Sequence, residues 1–324
     1  MGLPTLDHLD LQILQALQLD GRAPFSRIAA VLGVSDQTVA RRYRRLHNAV
    51  NMRVLGMTDE NRFGRQTWMV RLHCTPDAAE QLADALARRP DTQFVSLTSG
   101  GTEVVCGMKP RSRKERDELL FGRLQRTRQI VRVTAHCLLH SFYGGSLGWL
   151  NKSHALTPEQ ESALRLPDPA PLDAPLIADA ADEALLAVLR RDGRATLADL
   201  HSATGQSESA VKRRLETLRS TGALYFDVQY DQGPLGQGVS VMLWLTVAPR
   251  ALADVGRSIA AHQEVDFVSA TTGQENIVVT AHFKSSEQLY TYLSEKIGAL
   301  DGVQAVESTL VLRQVKQLTY EPNR

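Results

Sequence analysis

The sequence predicts an α+β chain: two winged-type helix-turn-helix domains, each followed by a ferredoxin-like βαββαβ domain. Three observations predict it. The chain repeats itself, each copy opens on a helical stretch with a capped turn, and behind that stretch strand-like and helix-like periods alternate.

The repeat comes first. Shifted by 172 positions, Asp10 meets Asp182, Leu14 meets Leu186 and Leu17 meets Leu189, and "DGRA" at 20–23 meets "DGRA" at 192–195. Gly33, Ser35, Val39, Arg41, Arg42 and Leu46 meet Gly205, Ser207, Val211, Arg213, Arg214 and Leu218 in the same register. One inserted residue makes the shift 173. Pro76 then meets Pro249, "FVS" at 94–96 meets "FVS" at 267–269, and Gly100 meets Gly273. The expected domains are residues 1–58 and 179–231 (helix-turn-helix) and 59–142 and 232–324 (ferredoxin-like), with a linker at 143–178. The linker holds "PDPAPLDAP", and proline at that density suits neither a helix interior nor a central strand. "TPEQESALRL" at 157–166 predicts one short helix, capped by Thr157, in an otherwise extended, semi-rigid spacer.

In copy one, Leu9, Ile13, Leu14 and Leu17 recur at helical spacing until "DGR" stops the helix. "SRIAAVLG" is a second, short helix, and Gly33 supplies the turn after it. Ser35 caps a third helix and Asp36 suits its first turn. Helix, short helix, glycine turn, helix is the order of a helix-turn-helix. Strands are expected near 67–74, 92–98, 102–109 and 130–140, with helices near 76–89 and 111–127. In copy two the strands fall near 239–248, 265–271, 275–283 and 302–314, with helices near 249–262 and 285–299. Strands at 52–58 and 224–230 join the two parts of each copy.

Composition bounds the partners. The chain of 324 residues is 43% hydrophobic and 23% charged, with a formal net charge of +1, so any signal for a polyanion is local. "MGLPTLDHLD" has neither the basic start nor the apolar run of a signal peptide, and "VMLWL" at 241–245 is far too short to cross a bilayer. A cytoplasmic protein without a membrane partner is expected. Cys74, Cys106 and Cys137 stand alone in strand-like runs and read as reduced core thiols. No metal site and no cofactor is expected.

The local signal sits in the third helix. Val39, Tyr43 and Leu46 form its inward stripe, which leaves Arg41, Arg42, Arg44 and Arg45 on the outer flank. The second helix of a helix-turn-helix enters the DNA major groove, where its first residues reach base edges and flanking cations take phosphates. Ser35, Gln37 and Thr38 lie near the helix start. Gln addresses adenine in bidentate fashion, and a Thr methyl contacts thymine. Double-stranded DNA is the expected partner. Copy two offers Ser207, Ser209, Lys212, Arg213 and Arg214 instead. Residues 1–55 carry seven Arg against four Asp, a net of +3, whereas 179–231 carry a net of −2. Glu216 and Thr217 stand where copy one has Arg44 and Arg45. Copy two should hold DNA more weakly.

The stretch "LDHLDLQILQALQLDGRAPFSRIAAVLGVSDQTVARRYRRL" at 6–46 carries "LDxxDxxIL", "DGR" and "LGxSxxTVxRRxxRL". With the βαββαβ unit behind it, it resembles the Lrp/AsnC family of prokaryotic transcription regulators. The resemblance covers nearly everything except the linker. It implies a sequence-specific DNA-binding regulator whose second domain dimerises through its sheet and holds a small effector, usually an amino acid. It also implies a homodimer or larger homo-oligomer. The family's effector loop resembles "G-D-Y-D" between the second and third strands. The matching residues are Gly100, Gly101, Thr102 and Glu103 in copy one, and Gly273, Gln274, Glu275 and Asn276 in copy two. Thr98, Ser99 and Thr272 stand beside them. By that resemblance an acidic group there would pair with a ligand ammonium, and Asn276 departs from it.

Two other classes compete. Some proteins on this two-domain plan resemble decarboxylases acting on sirohaem, and His73, His136 and His140 would be the candidate cluster for such an enzyme. No paired acid or nucleophile stands beside them, and a catalyst has no need of the arginine-rich helix, so no catalytic residue is assigned. A metabolite sensor that no longer binds DNA would suit copy two but not copy one.

Overall fold

The computed structural model describes residues 6–231 and 238–320. The domain limits expected at residues 1, 232 and 324 lie outside them. Copy one runs α1 (His8–Leu19), α2 (Phe25–Leu32), α3 (Asp36–Ala49), β1 (Arg53–Thr58), β2 (Trp68–Cys74), α4 (Ala79–Ala87), β3 (Thr92–Thr98), β4 (Glu103–Met108), α5 (Arg113–Asp117) and β5 (Ile130–Tyr143). Between the copies lies α6 (Pro158–Leu164). Copy two runs α7 (Ala180–Leu189), α8 (Leu197–Thr204), α9 (Glu208–Ser220), β6 (Leu224–Gln229), β7 (Val239–Val247), α10 (Leu252–Ala260), β8 (Val265–Thr271), β9 (Ile277–Phe283), α11 (Ser286–Thr291) and β10 (Val303–Lys316).

The two copies do not fold apart. Like parts gather with like: the described residues through 64 and from 148 to 231 form a helical unit, and 65–147 with 238–320 form a sheet unit.

In the helical unit, Ile13, Leu14, Leu17, Val39 and Leu46 share one core with Leu185, Leu186, Leu189, Val211 and Leu218. Asp7 and Asp179 cap α1 and α7 in matching capping boxes, each satisfying an N–H that the helix leaves unpaired. Gly33 and Gly205 both end their helices at φ +68°, where a side chain would be strained. β1 and β6 pair antiparallel, with Leu55 opposite Asp227, its own duplicate at the 172 shift. A residue that pairs with its own copy marks a local two-fold axis. The DGR motifs lie across the same axis. Arg22 donates to the carbonyls of Gly193 and Ala195 at 2.7 and 2.9 Å, and Arg194 donates to those of Gly21 and Ala23 at 2.6 and 3.0 Å.

The linker is packed over its first half, whereas its proline-rich stretch at 167–175 has no helix or strand and is mostly exposed. Leu150, Leu156 and Leu164 are buried in the helical core. The Gln15 side-chain carbonyl accepts the backbone N–H groups of Ala155 and Leu156 at 2.9 and 3.0 Å, and Arg27 donates to the Ala163 carbonyl at 2.8 Å.

In the sheet unit, each copy orders its strands as a ferredoxin-like fold does: β3-β4-β2-β5 and β8-β9-β7-β10. β5 pairs on with β8 and β10 with β3, closing an eight-stranded barrel. Alternation sorts the side chains. Val70, Leu72, Val104 and Cys106 pack under Ala83, Leu86 and Leu119, and the second sheet does the same under Val255 and Ile259. The opposite faces bring together Met69, Val105, Met242, Trp244 and Val278.

Candidate nucleic-acid interface and ligand site

α3 starts where Ser35 Oγ accepts the Thr38 N–H at 3.2 Å. Val39 and Leu46 are fully buried, and Tyr43 packs on Phe25 with ring centroids 5.2 Å apart. Gln37, Arg41, Arg44 and Arg45 are exposed. Ser35 also lies 3.0 Å from the Thr38 hydroxyl, so both hydroxyls serve the cap.

The four arginines divide. Arg42 Nη1 contacts Asp7 at 2.5 Å and Asp10 at 3.2 Å, and Arg45 Nη2 contacts Asp10 at 2.6 Å. Asp10 is fully buried in α1, so its charge requires these partners. The Asp7 hydrogen bond, against slight desolvation, raises the Arg42 guanidinium further above its ordinary value. Copy two repeats the device: Arg214 pairs with buried Asp182. Arg42, Arg45 and Arg214, expected on DNA, therefore tie the third helix to the first. Among the described residues Arg41, Arg44, Lys212 and Arg213 have no ion pair and remain open to a polyanion. Ser207 caps α9 through the Ala210 N–H and lies 3.1 Å from Ser209. The second recognition face thus offers Lys212 and Arg213 beside the exposed acids Glu208 and Glu216.

The two effector loops also differ. Thr98 and Ser99 donate to Glu103 Oε2 at 2.7 and 3.0 Å, so three expected residues converge. Their partner is a protein cation. Arg71 Nε donates to Glu103 at 2.6 Å, and its other nitrogens hold Glu307 at 3.0 and 2.5 Å. Arg71 lies 4.7 Å over the Trp244 ring. Burial alone would raise the Glu103 carboxyl, but Arg71 and the Thr98 hydrogen bond outweigh it and hold it below the usual range. The Glu307 carboxyl is lowered chiefly by its hydrogen bond from Arg71. The ammonium expected opposite Glu103 is thus replaced by a guanidinium. Gly100 and Gly101 turn the chain at φ +69° and +84°, with open space where a Cβ would stand.

In copy two His136 closes the loop. Its Nδ1 lies 2.8 Å from the Thr272 carbonyl, and a Cβ on Gly273 would stand 2.8 Å from that nitrogen. Thr272 Oγ1 accepts the Cys137 N–H at 2.9 Å. Asn276 forms a backbone-like pair with Val247, accepting at 2.9 Å and donating at 2.7 Å, and the Glu275 carbonyl accepts from Thr271 at 2.8 Å. His136 Nε2 and Trp244 Nε1 are buried without a hydrogen-bond partner among the described residues. Sequence reasoning passed over Arg71, Glu307 and Trp244. The signal for Arg71 was its alternation with Met69 and His73 on one strand face.

The histidines do not gather. His136 stands opposite Met69 and His73 opposite Arg132, four positions along β2. His73 is 3.6 Å from Glu103, and His140 meets Phe142 edge-on at 4.7 Å. Among the described residues no group of three or more His, Cys, Asp or Glu side chains could hold a metal ion. No described helix is long and apolar enough to cross a membrane.

The AsnC-type helix-turn-helix domain matches residues 6–47 and again 179–219. The Lrp/AsnC ligand binding domain matches residues 240–320. The chain is similar to the HTH-type transcriptional regulator FL11 of Pyrococcus horikoshii, 30% identical over 145 residues, which are 44% of this chain and 95% of that protein. It is similar to the HTH-type transcriptional regulator LrpA of Pyrococcus abyssi, 25% identical over 139 residues, 43% of this chain and 99% of that one. A single-copy relative spans under half of a duplicated chain. The crystal structure of the siroheme decarboxylase NirDL matches 97% of this chain and 94% of its own, at TM-score 0.65 and 14% identity. At that identity the likeness is one of fold, and function is argued from the site.

Proposed function

The chain belongs to the Lrp/AsnC family of DNA-binding transcription regulators, and on that premise we propose that it reads double-stranded DNA chiefly through α3. The observation that carries this is the division of the arginines. With Arg42 and Arg45 tied to Asp10, Gln37, Arg41 and Arg44 still face outward from a capped, well-anchored helix. Arg41 and Arg44 take phosphates or groove edges, Gln37 reads a base, and Lys212 and Arg213 add a weaker contact from copy two. What supports a regulator over a catalyst is this free basic face, together with three histidines that do not share a site.

The test is a salt titration on a fluorescent duplex taken from upstream of the chain's own gene. Saturable binding that survives competitor DNA is expected, with a steep salt slope that Arg41→Ala/Arg44→Ala flattens. No binding at low salt and micromolar protein overturns the reading.

A small effector is assigned to the loop at 98–103 of copy one. Gly100 and Gly101 leave room there, whereas His136 occupies the equivalent place in copy two. Because Arg71 already neutralises Glu103, the loop offers hydroxyls and backbone in place of a free carboxylate. A thermal-shift series with the common amino acids tests it, and Gly100→Val should abolish any shift found. Self-association is assigned to the exposed faces of β5 and β10, the strands through which the two sheets join. They expose Leu139 and Leu312, duplicates at the 173 shift, at 57% and 55%. Light scattering of Leu139→Asp/Leu312→Asp should give a smaller species than the parent.

A further inference from the structure

The helical unit is two-fold in its backbone and not in its recognition surface. The axis is fixed twice: by Leu55 against its duplicate Asp227 on the β1–β6 ribbon, and by the reciprocal Arg22 and Arg194 bonds between the DGR turns. Two helix-turn-helix domains related in this way present their recognition helices to inverted half-sites. In a homodimer those half-sites are equal by symmetry. Here they are not.

Position by position, α3 shows Gln37, Arg41 and Arg44 where α9 shows Ser209, Arg213 and Glu216. The first pair exchanges a bidentate base reader for a short hydroxyl that lies beside Ser207. The second keeps its charge. The third turns a phosphate-seeking cation into an exposed carboxylate that repels phosphate. Support from behind differs as well. The linker helix braces copy one, since Gln160 donates to the Val31 carbonyl at the end of α2 and Arg27 holds Ala163.

We propose that the chain recognises an asymmetric operator. One half-site is read in its base sequence by copy one, and an inverted half-site is held mainly through its phosphates by copy two, so the protein sits on DNA in one direction only. The proposal rests on the DNA-binding reading above. Its partner is a duplex with one strong and one weak inverted half-site, and Gln37 and Glu216 set the inequality.

Selection from a pool of duplexes with a randomised centre tests it. Wild type should enrich a motif with one well-defined half and one ill-defined half, their centres about 10 bp apart. Gln37→Ala should blur the defined half, whereas Ser209→Ala should leave the motif unchanged. Ser209→Gln/Glu216→Arg should sharpen the second half. It should also tighten binding to a palindrome built from the strong half-site by about tenfold, while the asymmetric duplex gains less. Enrichment of a palindrome by wild type, or equal losses from Gln37→Ala and Ser209→Ala, overturns the asymmetric operator and leaves the DNA-binding reading standing. No enriched sequence at low salt overturns both.

Discussion

Copy one and copy two of this chain keep the same skeleton and differ in part of the charge they carry on it. Both cap the third helix with serine, both stop the second helix at a left-handed glycine, and both hold a buried first-helix aspartate with an arginine of the third. Each serves the local frame: the serine caps a helix end, the glycine takes a left-handed turn, and the arginine pairs a buried carboxylate. Elsewhere Arg44 is matched in sequence by Glu216 on the surface, and within the barrel Arg71 is matched by Trp244 and Glu103 by Asn276. The difference teaches which positions carry the fold and which were free to specialise. A chain whose two copies pair with each other can diverge at the latter without disturbing the former.

The largest test of that division lies at Arg71. Arg71→Met strips Glu103 of its cation inside a closed barrel and should cost the sheet unit about 3–5 kcal/mol. Asn276→Ala, at the place equivalent to Glu103, loses two neutral hydrogen bonds to Val247 and should cost about 1–2 kcal/mol. Denaturation followed by the fluorescence of Trp68 and Trp244 measures both, and equal losses would erase the contrast. The same pair predicts a pH dependence. Glu103 and Glu307 are held below their ordinary value of 4.5, so their contribution is complete above that pH and is lost as the pH falls through the lowered values. Glu103→Gln should make the acid limb of stability shallower.

Next come the DGR arginines. Each donates two charge-assisted hydrogen bonds to carbonyls across the local axis, so Arg22→Ala and Arg194→Ala should each cost about 2–3 kcal/mol. Arg194 should cost about 0.5 kcal/mol more, because it also lies 4.7 Å over the Phe25 ring. Burial lowers both guanidinium groups from their ordinary value, Arg22 with Arg219 and Arg194 nearby. Amide exchange of the β1–β6 ribbon reads the loss directly. The effector loops follow. Gly273→Ala must push against the His136 ring at φ +111° and should cost about 2 kcal/mol, whereas Gly100→Ala meets only its own backbone strain, about 1 kcal/mol. Similar values would mean that His136 does not close the second loop.

Much of this was legible in the sequence because it is local. The strand expected at 92–98 spans those residues, and Ser35 caps the helix that its spacing announced. Periodicity reports which face of an element is buried. It does not report what stands opposite. Arg42 and Arg45 lie on the outer flank, as the stripe of Val39, Tyr43 and Leu46 requires, yet they reach Asp10 more than thirty residues earlier, because the two helices pack there. The same blindness hid the barrel, whose closing pairs β5–β8 and β10–β3 join distant segments. It hid the packed first half of the linker, where Leu150, Leu156 and Leu164 are buried. Arg71 was missed because an inward charge in an apolar strand makes sense only once Glu103 and Glu307 arrive from two other strands.

The smallest effect is the sharpest probe of the recognition faces. Arg44 is exposed, has no ion pair among the described residues, and contributes nothing to the core. Arg44→Ala should therefore leave stability within about 0.5 kcal/mol of the parent. On DNA it should lower the slope of log K against log salt by about 0.9, the release of one phosphate's counterion. Glu216→Ala removes a repulsion without adding a cation. It should raise affinity by a few tenths of a kcal/mol, about twofold, and leave the slope unchanged. A slope that moves for Glu216→Ala would place α9 on the phosphates through a residue other than Lys212 and Arg213. A slope that fails to move for Arg44→Ala would mean that Arg41 alone carries the electrostatics of copy one.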